Sequence, residues 1–192
     1  MFEKILIANR GEIARRIIRT CRKMNIRTVA VYSEADRGMP YVKEADEAYY
    51  IGESAPAHSY LNIAKIIETA RAAGADAIHP GYGFLAENHL FARACAEAGI
   101  VFIGPNPEVI EAMGNKLEAL EIAKKAGVPT LKRSRRSIER KPKESAEDYD
   151  KRVRKIAKNI GYPLLVKPQS GGGGIGMRVV YSEEYLLPAL EI

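Results

Sequence analysis

Long apolar runs are missing from this chain. No stretch approaches the roughly 20 residues that a bilayer-crossing helix requires, so no membrane partner is expected. Met1 leads almost directly into KILIA, which is too short and too quickly followed by polar residues for a secretory leader. Cysteine is scarce: Cys21 and Cys95 match no metal or redox spacing, and two lone thiols fit a reducing, cytoplasmic compartment. His58, His79 and His89 also lack ligand spacing, and no metal site is expected. The three-glycine signature of a dinucleotide turn is absent too. NRGEIA offers Gly11 alone, with Glu34 and Asp36 near the place of a ribose-binding acid. One glycine and one acid make a weak match, because an acid after a second strand is also an ordinary loop residue.

What is present describes a globular protein. A chain of 192 residues with 46% apolar content buries a sizeable core and makes one large domain, or one domain plus part of another. The net charge of +6 is not spread evenly. Lys132 to Lys158 hold twelve Lys/Arg and five Asp/Glu, while the remainder carries 18 basic and 19 acidic residues. The first part of that segment, KRSRRSIERKPKES, is poor in apolar residues, contains Pro142 and reads as a solvated loop. The second places Tyr149, Val153, Ile156, Ala157 and Ile160 at helical spacing between Ser145, a suitable N-cap, and Gly161. No aromatic platform for stacking bases lies in the loop, so a nucleic-acid partner is not expected.

The first half alternates strands and helices. KILIA, RTVAVY, DAIHP and IVFIGP have strand character. NRGEIARRIIRTCRKM, YLNIAKIIETARAAG and HLFARACAEAG repeat apolar residues at helical intervals. This order predicts an α/β fold, a doubly wound parallel sheet with ligands gathering at the carboxyl ends of its strands. Those ends carry ANRGE, YSEAD, HPGYGF and IGPNP. In HPGYGF, Gly81 and Gly83 flank Tyr82 directly after a strand, so either a packed tight turn or an aromatic presented to a ligand results.

Toward the C-terminus, Lys116 opens a helical stretch behind Asn115. An ammonium there is unfavourable beside the helix dipole unless an anion neutralises it, although an ordinary surface lysine reads the same way. Lys167 follows PLLV, a strand of buried character, and a buried lysine would need an anionic partner. It stands just before Gly171, Gly172, Gly173, Gly174 and Gly176 in KPQSGGGGIGM. Such glycines turn backbone N–H groups toward phosphate oxygens, or make a plain flexible linker. Their place between PLLVK and MRVVY predicts a hairpin with the loop at its tip.

The blocks ILIANRGEIARRIIR, VAVYSEADR, ADEAYYIG, SYLNIAKII, AIHPGYGFLAEN, FIGP, MGNKLEALEIAKKAGVP, GYPLLVK and GGGGIGMRVV occur in this order. Together they resemble the N-terminal part of biotin carboxylase, the ATP-grasp component of acetyl-CoA, propionyl-CoA and pyruvate carboxylases. The resemblance implies a Rossmann-like N-terminal domain over 1–113 and the start of an ATP-grasp region, with an incomplete lid subdomain, over 114–192. It implies an ATP-dependent ligase that uses ATP, Mg²⁺ and bicarbonate to carboxylate biotin on a carrier protein. Its partners would be the biotin carboxyl carrier protein and a carboxyltransferase, and a homodimer is compatible with the arginine-rich first helix. ATP-phosphate contacts fall on Lys116, Lys167 and Gly171–Gly174 with Gly176, and cleft-facing roles on Tyr82, Gly83 and Glu87. The family's metal-binding glutamates and catalytic base match nothing in these residues, so the 192-residue chain alone is expected to lack activity. A non-catalytic relative that keeps the domain for binding or dimerisation is the alternative. The chain departs from the family's pattern at Ile175, where a basic residue is usual, at Pro168, Gln169 and Asn115, and in its longer basic segment.

Overall fold

The structure, a computed structural model, describes residues 2–168 and 176–190. It divides after Gly114 into two compact units.

The first unit is built on five parallel strands: β1 (Lys4–Ile7), β2 (Arg27–Ser33), β3 (Glu47–Gly52), β4 (Ala77–His79) and β5 (Val101–Phe102). Their order across the sheet is β3-β2-β1-β4-β5. The helices between them are α1 (Gly11–Lys23), α2 (Pro40–Glu44), α3 (Ile63–Ala72) and α4 (His89–Glu97), with α5 (Pro107–Gly114) following β5. Successive strand residues point to opposite faces, and here both faces are covered. Leu6, Val29, Val31, Ile51 and Ile78 pack with Ile66, Ile67, Phe91 and Cys95 from α3 and α4. Ile5, Ile7, Ala30 and Ala77 pack on the other side with Ala14, Ile17, Ile18 and Cys21 from α1 and Tyr41 from α2. Each fully buried aliphatic side chain among these contributes roughly 1.5–3 kcal/mol of transfer free energy. The doubly wound parallel sheet expected from the alternation is therefore present.

The seam between β1 and β4 is long-range in sequence, pairing Ile5 with Ala77 and Ile7 with His79. At its amino end, Asp76 accepts the backbone N–H groups of Glu3 at 2.7 Å and Lys4 at 2.9 Å. These two bonds hold the Asp76 carboxyl below the usual carboxylate range.

In the second unit, α6 (Lys116–Lys125) is capped by Asn115, whose Oδ1 accepts from the N–H groups of Leu117 and Glu118. Helix α7 (Ala146–Ile160) starts at Ser145, whose hydroxyl accepts from Asp148 N–H at 3.1 Å, and ends at Gly161. Its acidic first turn and basic last turn oppose the helix dipole. Val153 and Ala157 on one side of α7 form a small core with Val180, Leu186 and Ala189. Strands β6 (Leu164–Val166) and β7 (Arg178–Val180) pair antiparallel, and the short α8 (Leu186–Leu190) closes the unit. The segment between α6 and α7 has no regular structure over most of its length, as its composition requires.

Candidate functional site

In an open α/β sheet the ligand crevice lies where the strand order reverses, outside the carboxyl ends of the two strands that flank the reversal. In the first unit these are β1 and β4. The residue that joins their two loops is Asn9, which is 1% exposed. Its Nδ2 donates to Pro80 O at 2.8 Å and to Tyr82 O at 2.9 Å, and its Oδ1 accepts from Arg10 N–H at 2.9 Å. A buried amide with every polar atom matched stiffens the loops it links.

Gly81 is required by this arrangement. Its φ is +66°, and a Cβ there would stand 2.7 Å from Asn9 Nδ2 and 2.7 Å from the Ile13 methyl group. Its N–H donates to His79 Nδ1 at 3.0 Å, which fixes that nitrogen as an acceptor. Burial and then the nearby Arg16 charge push the His79 pKa down, so the imidazole is neutral at pH 7. The turn exposes Tyr82, whose hydroxyl donates to Glu12 on α1. That bond, with Glu12 as acceptor, raises the Tyr82 pKa. Gly83 and Glu87 are exposed on the same loop, so all three residues expected to face a cleft lie at the carboxyl edge of the sheet.

Beside them is a polar cluster that the residue types alone do not reveal. Asp36 Oδ2 accepts from Tyr60 OH at 2.6 Å, Ser33 Oγ at 2.8 Å and Arg10 NH1 at 3.3 Å. Burial pushes the Asp36 pKa up, and the bonds from Tyr60, Ser33 and Arg10 more than reverse this, leaving it below the ordinary value. The Arg10 guanidinium lies 5.5 Å from the ring centroids of both Tyr60 and Phe84, which stack at 4.9 Å. Tyr60 also meets Tyr41 OH at 3.0 Å and receives Ser33 N–H. Asp36 Oδ2 is thus occupied by three protein donors, which argues against the ribose-binding role weighed for this residue from sequence. A buried asparagine immediately after the first strand was the available signal for the centre of this edge, but a lone Asn has no diagnostic spacing.

The second unit presents a different surface. Leu164, Val166 and Val180 turn toward the small core, while Leu165 and Val179 face outward as a cross-strand pair. Continuing the alternation places Lys167, and Met177 opposite it, on the same outward face. Lys167 is exposed, as are Leu165, Val179 and Met177. The expectation of a buried lysine in need of an anion is corrected here: β6 is half-exposed, so Lys167 carries little desolvation cost and is open to an incoming ligand. The resulting patch is an apolar floor with a lysine at one end, a match for a flat aromatic ring joined to a phosphate chain. Sequence reading missed this floor, although the alternation in LLVK and MRVV marks it. Lys116 is exposed at the first turn of α6, where N–H groups and the helix dipole favour an anion. Gly176 has φ +76° at the foot of β7, whereas Gln169, Gly171–Gly174 and Ile175 lie outside the described residues. No three His, Cys, Asp or Glu groups converge as metal ligands among the described residues.

These features define a class: a doubly wound α/β domain whose carboxyl edge is cross-linked by Asn9, followed by a unit with an antiparallel hairpin whose two strands flank a glycine-rich stretch of the sequence. Residues 1–110 match the family described as biotin carboxylase, N-terminal domain, and residues 115–191 match the carbamoyl-phosphate synthase L chain, ATP binding domain. The chain belongs to the biotin carboxylase N-terminal domain family. It is 54% identical over 191 residues to biotin carboxylase 2 of Bacillus subtilis, covering 100% of this chain and 41% of the relative. It is 52% identical over 191 residues to a pyruvate carboxylase subunit of Methanothermobacter thermautotrophicus, covering 100% of this chain and 37% of the relative. The biotin carboxylase domain dimer of Hydrogenobacter thermophilus 2-oxoglutarate carboxylase, solved with MgADP, ADP and bicarbonate, superposes with a TM-score of 0.87. That structure shares 50% identity over 100% of this chain and 40% of its own. The chain therefore spans about two fifths of the length of these relatives. Among the described residues no helix is long and apolar enough to cross a membrane.

Proposed function

We propose that this chain supplies the N-terminal domain and the nucleotide lid of a biotin carboxylase, an ATP-dependent ligase that carboxylates carrier-bound biotin with bicarbonate. The observation that carries the reading is the outward face of the β6–β7 hairpin, where Leu165, Val179 and Met177 form a floor beside Lys167. In this assignment residues 1–113 are the doubly wound domain, and 114–192 begin the ATP-grasp region.

Adenine would lie on the apolar floor, and Lys167 would meet the phosphates. Lys116, at the head of α6, would add a second cation where backbone N–H groups already favour negative charge. Gly171–Gly174 and Gly176 would cover the phosphates through backbone N–H groups and keep water from them. Tyr82, Gly83 and Glu87 would face the cleft in which the biotin ring is carboxylated. Mg²⁺ would supply charge neutralisation on the phosphates. Among the described residues no cluster of three His, Cys, Asp or Glu side chains is present to hold it, so they do not fit as its holder and no step is assigned to the metal. Because the family's metal-binding glutamates and catalytic base match nothing in these residues, no biotin carboxylation is expected from the 192 residues by themselves. The carrier protein and a carboxyltransferase are the expected partners, a homodimer like that of the Hydrogenobacter domain the expected assembly, and the cytoplasm the expected site.

Calorimetric titration with ATP tests the nucleotide site. Binding weakened at least about tenfold by Lys167→Ala is the expected result, the loss of one charge-assisted phosphate contact. Equal ATP affinity with and without Lys167→Ala, both measured with Arg135→Glu and Arg136→Glu in place so that the basic segment does not contribute, would reject the hairpin as the nucleotide floor.

A further inference from the structure

The basic segment between α6 and α7 is not absorbed by the nucleotide site, and in three dimensions it is not merely a solvated strand of charge. It folds against the flank of α7 to enclose an open cleft of about 940 Å³. Seven basic side chains and one acid, Glu139, line it. Three arginines peg the walls. Arg133 pairs with Glu121 on α6, Arg152 on α7 grips Glu144 through Nε at 2.7 Å and NH2 at 2.9 Å, and Arg140 Nε donates to Glu144 O at 3.0 Å. The hydrogen bonds from Arg152 and then from Lys141 N–H pull the Glu144 pKa down to about 2, so the peg is charged throughout the physiological range. Among the described residues, Lys132, Arg135 and Arg136 have no acidic partner within an ion-pair distance, though all line the cleft.

Like charges gathered within a Debye length, about 8 Å at physiological salt, repel one another. A wall that holds them together gains from an anion that is itself multiply charged. The excess of Arg over Lys points to phosphate, whose oxygens match the planar guanidinium fork. The concave shape points to a small ligand: about 300–1,000 Å³ is the usual size of small-molecule sites. A nucleic acid would call for an extended stripe and stacking aromatics, and residues 131–144 contain no aromatic side chain.

We propose that the cleft between residues 132–142 and α7 is a second anion site that binds a short chain of phosphates, inorganic or at the end of a nucleotide. Lys132, Arg135 and Arg136 contact the phosphates, and Arg133 and Arg152 hold the walls. The site is independent of the hairpin, and Lys167 takes no part in it.

Titration of the whole chain with sodium tripolyphosphate in 150 mM KCl tests this. Saturable binding is expected, weakening steeply as salt is raised. The exposed double substitution Arg135→Glu with Arg136→Glu should weaken it at least about tenfold, with an unchanged far-UV circular dichroism spectrum. Lys167→Ala should leave tripolyphosphate binding within about twofold of the parent. GTP titrated in the Lys167→Ala background separates the two sources: affinity equal to that of tripolyphosphate assigns recognition to phosphates alone, and tighter binding assigns a contribution to the nucleoside. Three results would each overturn the proposal: no tripolyphosphate binding up to millimolar concentration, a loss produced by Lys167→Ala but not by the Arg pair, or tighter binding of a single-stranded oligonucleotide than of tripolyphosphate.

Discussion

Replacing Gly81 by alanine, with Gly83→Ala as its control, isolates what the Asn9 bridge does. Both glycines have positive φ, +66° and +74°. A Cβ at either position incurs the left-handed penalty, about 1–2 kcal/mol. At Gly83 that is the whole cost, because nothing lies within 4 Å of the added atom. At Gly81 the new methyl also enters 2.7 Å from Asn9 Nδ2 and from Ile13 Cγ2, too close for either neighbour to stay in place. Asn9 is buried, so its displacement sacrifices the buried bond to Pro80 O and the half-buried bond to Tyr82 O. At about 0.5–1.5 kcal/mol net for each bond, this adds about 2 kcal/mol. With a urea dependence of about 2 kcal/mol per molar, the Gly81→Ala midpoint should fall about 1 M below that of Gly83→Ala. Urea unfolding followed by far-UV circular dichroism reads the difference directly. In an Asn9→Ala background the extra cost of Gly81→Ala should shrink, because the atom it strikes is gone. Coincident midpoints for the two glycine variants would refute the reasoning, as would full additivity with Asn9→Ala.

Two further predictions concern pH. Asp36 has a depressed pKa in the folded chain, so it stabilises the fold above the unfolded carboxylate value of about 3.9, and this contribution is lost as pH falls through the folded value. Asp36→Asn should flatten the stability profile below about pH 4; a profile parallel to the parent's would show that the triple hydrogen bond is not energetically coupled to folding. His79 also has a depressed pKa, so the unfolded chain binds the proton first. Stability should therefore decline as pH drops below about 6.5, and His79→Gln should remove that part of the decline. Urea midpoints at pH 7.5 and 5.5 measure both arms, and a parent midpoint unaltered between them would contradict the assignment of His79 Nδ1 as an obligatory acceptor.

Much of this architecture is legible in the sequence because local rules and tertiary demands agree. Helix α7 is bounded by Ser145 and Gly161, a cap and a stop that the residue types announce, and its apolar positions carry helical spacing. The antiparallel β6–β7 pair follows from two short apolar runs around glycines. Strand β3 was missed: it lies at the sheet edge, Ile51 is its one fully buried residue, and two tyrosines and a glutamate dilute the apolar pattern. Helix α2, at five residues, is too short to show a period. The site divides in the same way. Glycines and lysines that flank strands are visible as punctuation, whereas the Asn9 bridge and the Asp36 cluster depend on partners 71 and 24 residues distant, which no local pattern encodes. The burial inferred for Lys167 failed because, among the described residues, the outward face of the β6–β7 pair is exposed, so an apolar strand need not be a buried one.

The Asn9 bridge has a consequence for the order in which the protein can acquire its ligand edge during synthesis. Its acceptors, the carbonyls of Pro80 and Tyr82, do not exist until the ribosome has passed residue 82, and the Asp76 clasp at the other end of the seam appears only slightly earlier. A nascent chain that has already formed β1 and β2 must therefore hold an unfilled place beside β1 while α3 is made. The ligand edge is completed by one of the most distant closures in the first unit, and loop-closure entropy disfavours that step until the sheet contacts are ready to offset it.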